Sequence, residues 1–308
     1  MHSVVELMRQ RKLSESQPLA RQDDARLALV LEGGSSRAAF GGGMVGALEE
    51  AGLLSVFDAV YGASAGALNG AWLLCERANA NIHGWWSPES MKSTIRLTNI
   101  FKKLPVVNGD YLVDEVYENF TPMGFDEILA SDIEYHPVAT DADSGASTDL
   151  APLIKDRATL KQAMKATTRV PLLSGAPVSL GGRRFIDGGM AENVPVETAL
   201  AQGATYLLVL RTKAPSLDLP TTAGLKQRAV ARWMHRNARG AAHTWDNRNV
   251  KKQQLEVLMA RDSRVLQVAP PANVAKISMV GSDLKVLREA VEVGRRCMTE
   301  TLRPVLGD

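Results

Sequence analysis

Two short apolar runs in the first third of the chain, each ended by glycines and followed by a helix-forming stretch, constrain the fold more than any other feature. The first is LALVL at 27–31, which runs into EGGSSRAAFGGG. The second is FDAVYGAS, which runs into AGALNGAWLLCERAN. A continuous apolar run of this length, closed by turn residues, reads as a strand buried on both faces. After the first glycine segment, Met44, Val45, Leu48 and Leu53 recur at roughly helical spacing, and Gly52 is positioned to end the helix. Strand, glycine loop and helix, twice over, predict a mainly parallel sheet covered on both faces. The expected fold class is therefore α/β, a three-layer α/β/α sandwich with a mostly parallel central sheet.

Later segments extend the alternation. DIEYHPVATDA is an expected strand ending at Asp141, and RATLKQAMKATTRVP a helix stopped by Pro171. RRFIDGGM reads as a short strand entering a glycine turn, VETALAQGATYLLVLRT as a helix and then a strand, and SRVLQVAPP as the last strand. A long basic helical region is expected from Thr222 to Asp262. A final amphipathic helix follows, with Ser282 as its N-cap. Between Ile82 and Phe125, Pro88, Pro105 and Pro122 interrupt short amphipathic pieces. Trp85, Trp86 and Phe101 in that region are assigned to the core ahead of an acyl groove. Residues 1–26 mix charges without an apolar block and are expected to form a loosely held arm with room for one short helix, with 27–308 as one domain.

Composition narrows the function. Lys and Arg total 36 against 34 Asp and Glu in 308 residues, so the whole molecule presents no electrostatic case for nucleic acid. The two cysteines, Cys75 and Cys297, lack zinc or redox spacing and read as reduced thiols, which fits a cytoplasmic protein. No stretch reaches the roughly 20 apolar residues that cross a bilayer. The 225–252 region interleaves Lys226, Arg228, Arg232, Arg236, Arg239, Arg248, Lys251 and Lys252 with Trp233 and Trp245. Such a stretch suits peripheral contact with an anionic membrane surface; the competing reading is an amphipathic helix with a solvated basic face.

Three local patterns carry chemistry. Gly62-Ala63-Ser64-Ala65-Gly66 matches G-x-S-x-G, in which small residues allow a sharp strand-to-helix turn that lifts a nucleophilic hydroxyl clear of the backbone. Standing alone, it also reads as a tight helix start without chemistry. The loop from Gly33 through Gly34, Ser35 and Ser36 to Arg37 offers main-chain N–H groups to an anion, with Arg37 bracing the loop or adding charge. A nucleotide-phosphate loop is disfavoured, because the Gly-Lys-Ser/Thr ending and the G-x-G-x-x-G spacing are both missing; a structural turn stays open. Finally, a short strand delivers Asp187, and Gly188 and Gly189 turn the chain away, freeing a carboxylate at a strand end. Alone, this would read as an ordinary Asp-Gly turn.

Taken in order, GGSSRA, GASAG and DGG resemble the patatin-like phospholipase family. Around them, FGGGMVGALEEAGL, PVATDADSG, ATTRVPLLSGAPV and ENVPVETALAQGAT resemble it too, so the likeness runs from about Leu27 to Leu210. The resemblance implies a serine hydrolase of lipid acyl esters with a Ser–Asp dyad. In it Ser64 is the nucleophile, Asp187 the base, and the amides of Gly33, Gly34, Ser35, Ser36 and Arg37 the oxyanion loop. No metal and no cofactor are expected. Lacking an imidazole, Asp187 should need burial to raise its proton affinity. Ser35 and Ala38 stand where relatives commonly carry glycine, so a requirement for positive φ at either would strain the loop. Two other readings stay open. One is an α/β-hydrolase triad using His235 or His243; the other is a non-catalytic lipid-binding protein on the same fold.

Overall fold

The computed structural model describes residues 1–102, 104–217 and 224–307. Thr222, the expected start of the basic region, and the side chain of Lys226 lie outside the described residues. The strands are β1 (Leu27–Leu31), β2 (Ala59–Ala63), β3 (Glu134–Asp141), β4 (Ser147–Asp149), β5 (Val178–Leu180), β6 (Arg183–Ile186), β7 (Tyr206–Leu210) and β8 (Val265–Val268). They form one sheet in the order β5-β6-β3-β2-β1-β7-β8, with β4 also paired to β3. From β3 through β8 the neighbours in this order are parallel, whereas β4, β5 and β6 pair antiparallel at one end.

Side-chain alternation along β1 accounts for the layering. Leu27, Leu29 and Leu31 face one apolar cluster, with Met44, Leu48 and Leu68; Ala28 and Val30 face another, with Val196, Val209 and Leu255. Both faces of a central strand are thus covered, which a mainly parallel sheet requires. The expected α/β sandwich with a mostly parallel sheet is the fold observed.

Some expectations differ from the structure. The N-terminal segment is not loosely held. Ser3–Leu13 is a helix that buries Val4 and Met8 in the main core, and its Arg11 is 1% exposed. That guanidinium pairs with Asp23 at 2.7 Å and Asp58 at 2.8 Å, and donates to the Val56 and Ala25 carbonyls. Its partners lie 12 to 47 positions away, beyond any local pattern. The basic region divides at Arg239–Ala241 into helices Leu225–Asn237 and Ala242–Arg261. The last helix, Leu284–Leu306, is capped by Asp283 instead of Ser282; the Asp283 carboxylate accepts the Lys285 and Val286 amides. Phe101, assigned to the core, is exposed; Trp86 packs partly buried as expected, while Trp85 packs partly buried and also lines an apolar cavity.

Candidate active site

Strand register brings the site together. Ala63 pairs with Val138 between β2 and β3, and Thr140 pairs with Ile186 between β3 and β6. Because β6 runs against β3, the residues after Ile186 pass back along β3 towards Val138. Ser64 and Asp187, 123 positions apart, therefore meet across one intervening strand. The Ser64 hydroxyl donates to Asp187 Oδ2 at 2.6 Å, and both residues are buried.

Ser64 sits between β2 and the Ala65–Leu74 helix at φ 53°, ψ −133°. A non-glycine residue there is strained by about 1–3 kcal/mol, a cost that persists only where the surroundings enforce it. The two flanking glycines show how. A Cβ on Gly62 would lie 2.4 Å from the Ala67 Cα, and one on Gly66 would lie 2.5 Å from the Leu31 carbonyl oxygen. Only bare backbone fits on either side of the turn. The Ser64 amide donates to Thr167 Oγ1 at 2.8 Å, and that hydroxyl donates to the Val138 carbonyl at 2.5 Å, so the turn is tied to β3.

Asp187 is held by the glycines after it. Its Oδ1 accepts the Gly189 amide at 2.8 Å, and its carbonyl accepts the Thr140 hydroxyl at 2.9 Å. Burial pushes its carboxyl up to about 6, against the Ser64 and Gly189 hydrogen bonds, which favour the charged form. One oxygen is thus fixed by the backbone and the other is presented to the serine. A carboxylate with raised proton affinity, hydrogen-bonded to a hydroxyl, can take that proton near neutral pH.

The glycine loop packs directly on the serine: a Cβ on Gly33 would lie 3.3 Å from that of Ser64. Of the five loop residues, three have engaged amides. Gly33 donates to the Asn193 carbonyl, Ser36 to the Met279 carbonyl, and Arg37 to the Gly34 carbonyl. The Gly34 and Ser35 amides have no partner among the described residues. Both residues line a polar cavity with Ser64 and Asp187. Ser35 has φ 50° and Ala38 φ −67°, so of the two departures from glycine only Ser35 is strained. The Arg37 Nε is buried without a partner among the described residues, so no hydrogen bond from that nitrogen braces the loop.

Two supports of this loop were not singled out from sequence. Asn193 donates from Nδ2 to Glu32 Oε1 at 3.1 Å and to the Gly33 carbonyl at 3.2 Å. Glu32, just after β1, pairs with Arg211 at 3.0 Å and accepts the Thr212 amide at 2.8 Å; Arg211 is 0% exposed and pairs in turn with Glu256 at 2.6 Å. Burial opposes the Glu32 charge, yet Arg211, Lys213 and the Thr212 amide hold its carboxyl below the usual range. The only sequence signal was Asn193 inside ENVP, directly after the Asp-Gly-Gly turn; buried ion pairs between distant strand ends leave no local trace.

Ser64 also opens on a second, mostly apolar cavity, lined by residues that include Leu68, Trp72, Ile95, Val107 and Val116. The polar cavity is bordered on its far side by Lys213, Arg248, Lys251 and Lys252. Burial and the neighbouring Lys252 push the Lys213 ammonium down to about 8, against the pull of Glu32. Trp245 and Trp233 pack against a cluster around Ile186 and Met234, and Arg248 stacks on the Trp245 ring at 3.7 Å. His235 and His243 are exposed and line neither cavity; the His243 ring lies against Asn247. Among the described residues no helix is long and apolar enough to cross a membrane.

Comparison with known proteins places the chain in a family. Residues 29–200 match the family described as patatin-like phospholipase. A protein of Escherichia coli (strain K12), described as uncharacterized protein YjjU, is 26% identical over 284 residues, which cover 88% of this chain and 76% of that one. A solved structure of human GIVD cytosolic phospholipase A2, in complex with methyl γ-linolenyl fluorophosphonate and terbium chloride, is similar over 99% of this chain, with 12% identity and a TM-score of 0.39. This chain spans 63% of the length of that structure. With the family match running through more than half of its length, the chain belongs to the patatin-like phospholipase family.

Proposed function

We propose that the protein is a serine lipid acyl hydrolase, cleaving fatty-acyl esters through an acyl-enzyme on Ser64 with Asp187 as the base. The observation that carries this reading is the 2.6 Å hydrogen bond from a strained, buried serine to a carboxyl pushed up to about 6. In the first step the Ser64 Oγ attacks the ester carbonyl carbon while its proton passes to Asp187 Oδ2. The carbonyl oxygen becomes an oxyanion facing the free amides of Gly34 and Ser35. Each such donor contributes roughly 3 kcal/mol when aimed at the developing charge. Collapse breaks the bond to the alcohol, which leaves with the proton from Asp187. A water then attacks the acyl-enzyme, giving its proton to Asp187; collapse releases the fatty acid and returns that proton to Ser64.

Two cavities meeting at Ser64 support a lipid ester as substrate. The apolar one suits an acyl chain. The polar one, whose lining mixes carboxylates such as Glu192 and Glu197 with Arg248, Lys251 and Lys252, suits a polar portion of the same lipid. We read residues 27–308 as the catalytic unit and the helix of 1–26 as a clasp upon it. We infer action in the cytoplasm, a reading supported by the unpaired Cys75 and Cys297.

A hydrolysis panel of phospholipid, lysophospholipid and neutral glyceride, run on the wild-type protein, Ser64→Ala and Asp187→Asn, tests the proposal. Turnover of at least one class, lost by 1,000-fold or more in both variants, is the expected result. No turnover of any class by the wild type would leave a lipid-binding protein without catalysis.

A further inference from the structure

The segment between Ile95 and Val107 is held as a closed loop. Ile95 and Val107 form an antiparallel bridge at its base. The Arg96 amide donates to the Val106 carbonyl at 2.8 Å, the Asn99 side chain to the Pro105 carbonyl at 2.7 Å, and the Leu104 amide to the Asn99 carbonyl at 3.1 Å. This well-bonded loop points its apolar side chains outward. Leu97 is 56% exposed, Ile100 63%, Phe101 88% and Leu104 54%. Four of the fourteen exposed large apolar side chains among the described residues thus fall within eight positions. Leu172, 47% exposed at φ 70°, sits beside them, because the Val106 and Val107 amides both donate to the Leu173 carbonyl. Scattered apolar side chains on a surface need no explanation; a contiguous crown marks a surface built for an apolar partner.

Two further observations identify that partner. From Ser90 to Gly109 the sequence carries no acidic residue, and Lys92, Arg96 and Lys102 are exposed beside the crown. An apolar tip with a basic collar fits the interface of an anionic bilayer, where apolar side chains reach the acyl layer and cations stay at the phosphates. Moreover, both stems of the loop continue inward: Ile95 and Val107 line the apolar cavity that opens at Ser64. The base of the crown's loop is thus also part of the cavity wall.

We propose that the Leu97–Leu104 loop, together with Leu172, docks the protein on anionic membranes and so sets the apolar cavity walled by Ile95 and Val107 beside the bilayer. Delivery of acyl chains to that cavity rests on the hydrolase reading above; the docking does not. This surface is distinct from the 225–252 region, where the sequence offered peripheral membrane contact or a solvated basic face. The tryptophans there are packed, so that region offers cations beside the polar cavity without a free aromatic anchor.

The test uses the full chain with vesicles of phosphatidylglycerol and phosphatidylcholine, read by co-sedimentation. It is run beside turnover of a water-soluble short-chain ester. Ile100→Ser/Phe101→Ser changes only exposed side chains outside both cavities. Burying each such side chain is worth roughly 10-fold in partitioning or more, so the double variant should bind at least 100-fold more weakly. Its short-ester turnover should stay within 2-fold of wild type, and its hydrolysis of vesicle lipid should fall with binding. Wild-type binding should also weaken when phosphatidylglycerol is omitted. Equal vesicle binding by the variant and the wild type would overturn the proposal. So would a wild-type protein that ignores vesicles but self-associates through the crown. Loss of vesicle binding in a protein that turns over no soluble ester would support the docking surface and count against the hydrolase reading alone.

Discussion

The Ser64 hydroxyl donates directly to the Asp187 carboxylate at 2.6 Å, with no imidazole between them. The serine ends one strand, the aspartate ends another, and β3 lies between them. The pair's chemistry depends on burial, because a solvated aspartate is too weak a base for a serine hydroxyl.

Activity should therefore follow the ionisation of Asp187. Since burial pushes its carboxyl up to about 6, kcat/KM should rise with pH through a limb centred near that value and level off above it. Steady-state rates on a soluble ester between pH 4 and 9 measure this. A limb near 4, where an unburied aspartate titrates, would contradict the account.

The same burial predicts a stability effect of opposite sense. The folded protein holds the Asp187 proton more tightly than the unfolded chain does. Its contribution is fully present below about pH 4 and is lost as pH rises through about 6. Asp187→Asn removes the buried charge, so it should be more stable than wild type at pH 8, by about 1–3 kcal/mol. That advantage should vanish on acidification below about pH 4. Thermal unfolding at several pH values decides it.

The free amides of Gly34 and Ser35 give a backbone prediction. Ser35→Gly relieves a non-glycine residue at φ 50° and should keep activity within about 3-fold. Ser35→Pro deletes the N–H and cannot adopt that φ, so kcat should fall by about 100-fold or more. Circular dichroism on both variants verifies that the fold survives.

Asn193 and Arg11 act through other groups. Asn193→Ala removes one of two side-chain hydrogen bonds to the Gly33 carbonyl, leaving that of Thr212, and one to Glu32 Oε1, and kcat should fall by about 10-fold with KM little changed. Arg11→Met leaves Asp58 without one of its two arginines and uncouples the N-terminal helix. Breaking a buried ion pair from one side typically costs about 3–5 kcal/mol, so its melting temperature should drop sharply.

Much of this was legible in the sequence because the informative parts are local. The strand-glycine-helix units are set by apolar runs and small residues within a dozen positions, and the turns at Ser64 and Asp187 are visible as glycines. What escaped is long-range or very short. Strands β4 and β5 have three residues each, too few to display a period. The Ser36 amide is taken by the Met279 carbonyl, a contact no local pattern announces. Phe101 was assigned to the core ahead of an acyl groove, yet the bonds closing its loop hold it outward. Arg11 and Arg211 were unreadable for a simpler reason: a buried arginine is specified only by the carboxylates that the fold brings to it.

Labelling by a fluorophosphonate ester tests the direct serine–aspartate pair most sharply, since the probe records nucleophile activation without requiring the natural lipid. Mass spectrometry of the wild-type protein should find one adduct, on Ser64. His235→Ala and His243→Ala should label at the wild-type rate, and Asp187→Asn at least 100-fold more slowly. An adduct elsewhere, labelling indifferent to Asp187, or dependence on either histidine would contradict the account.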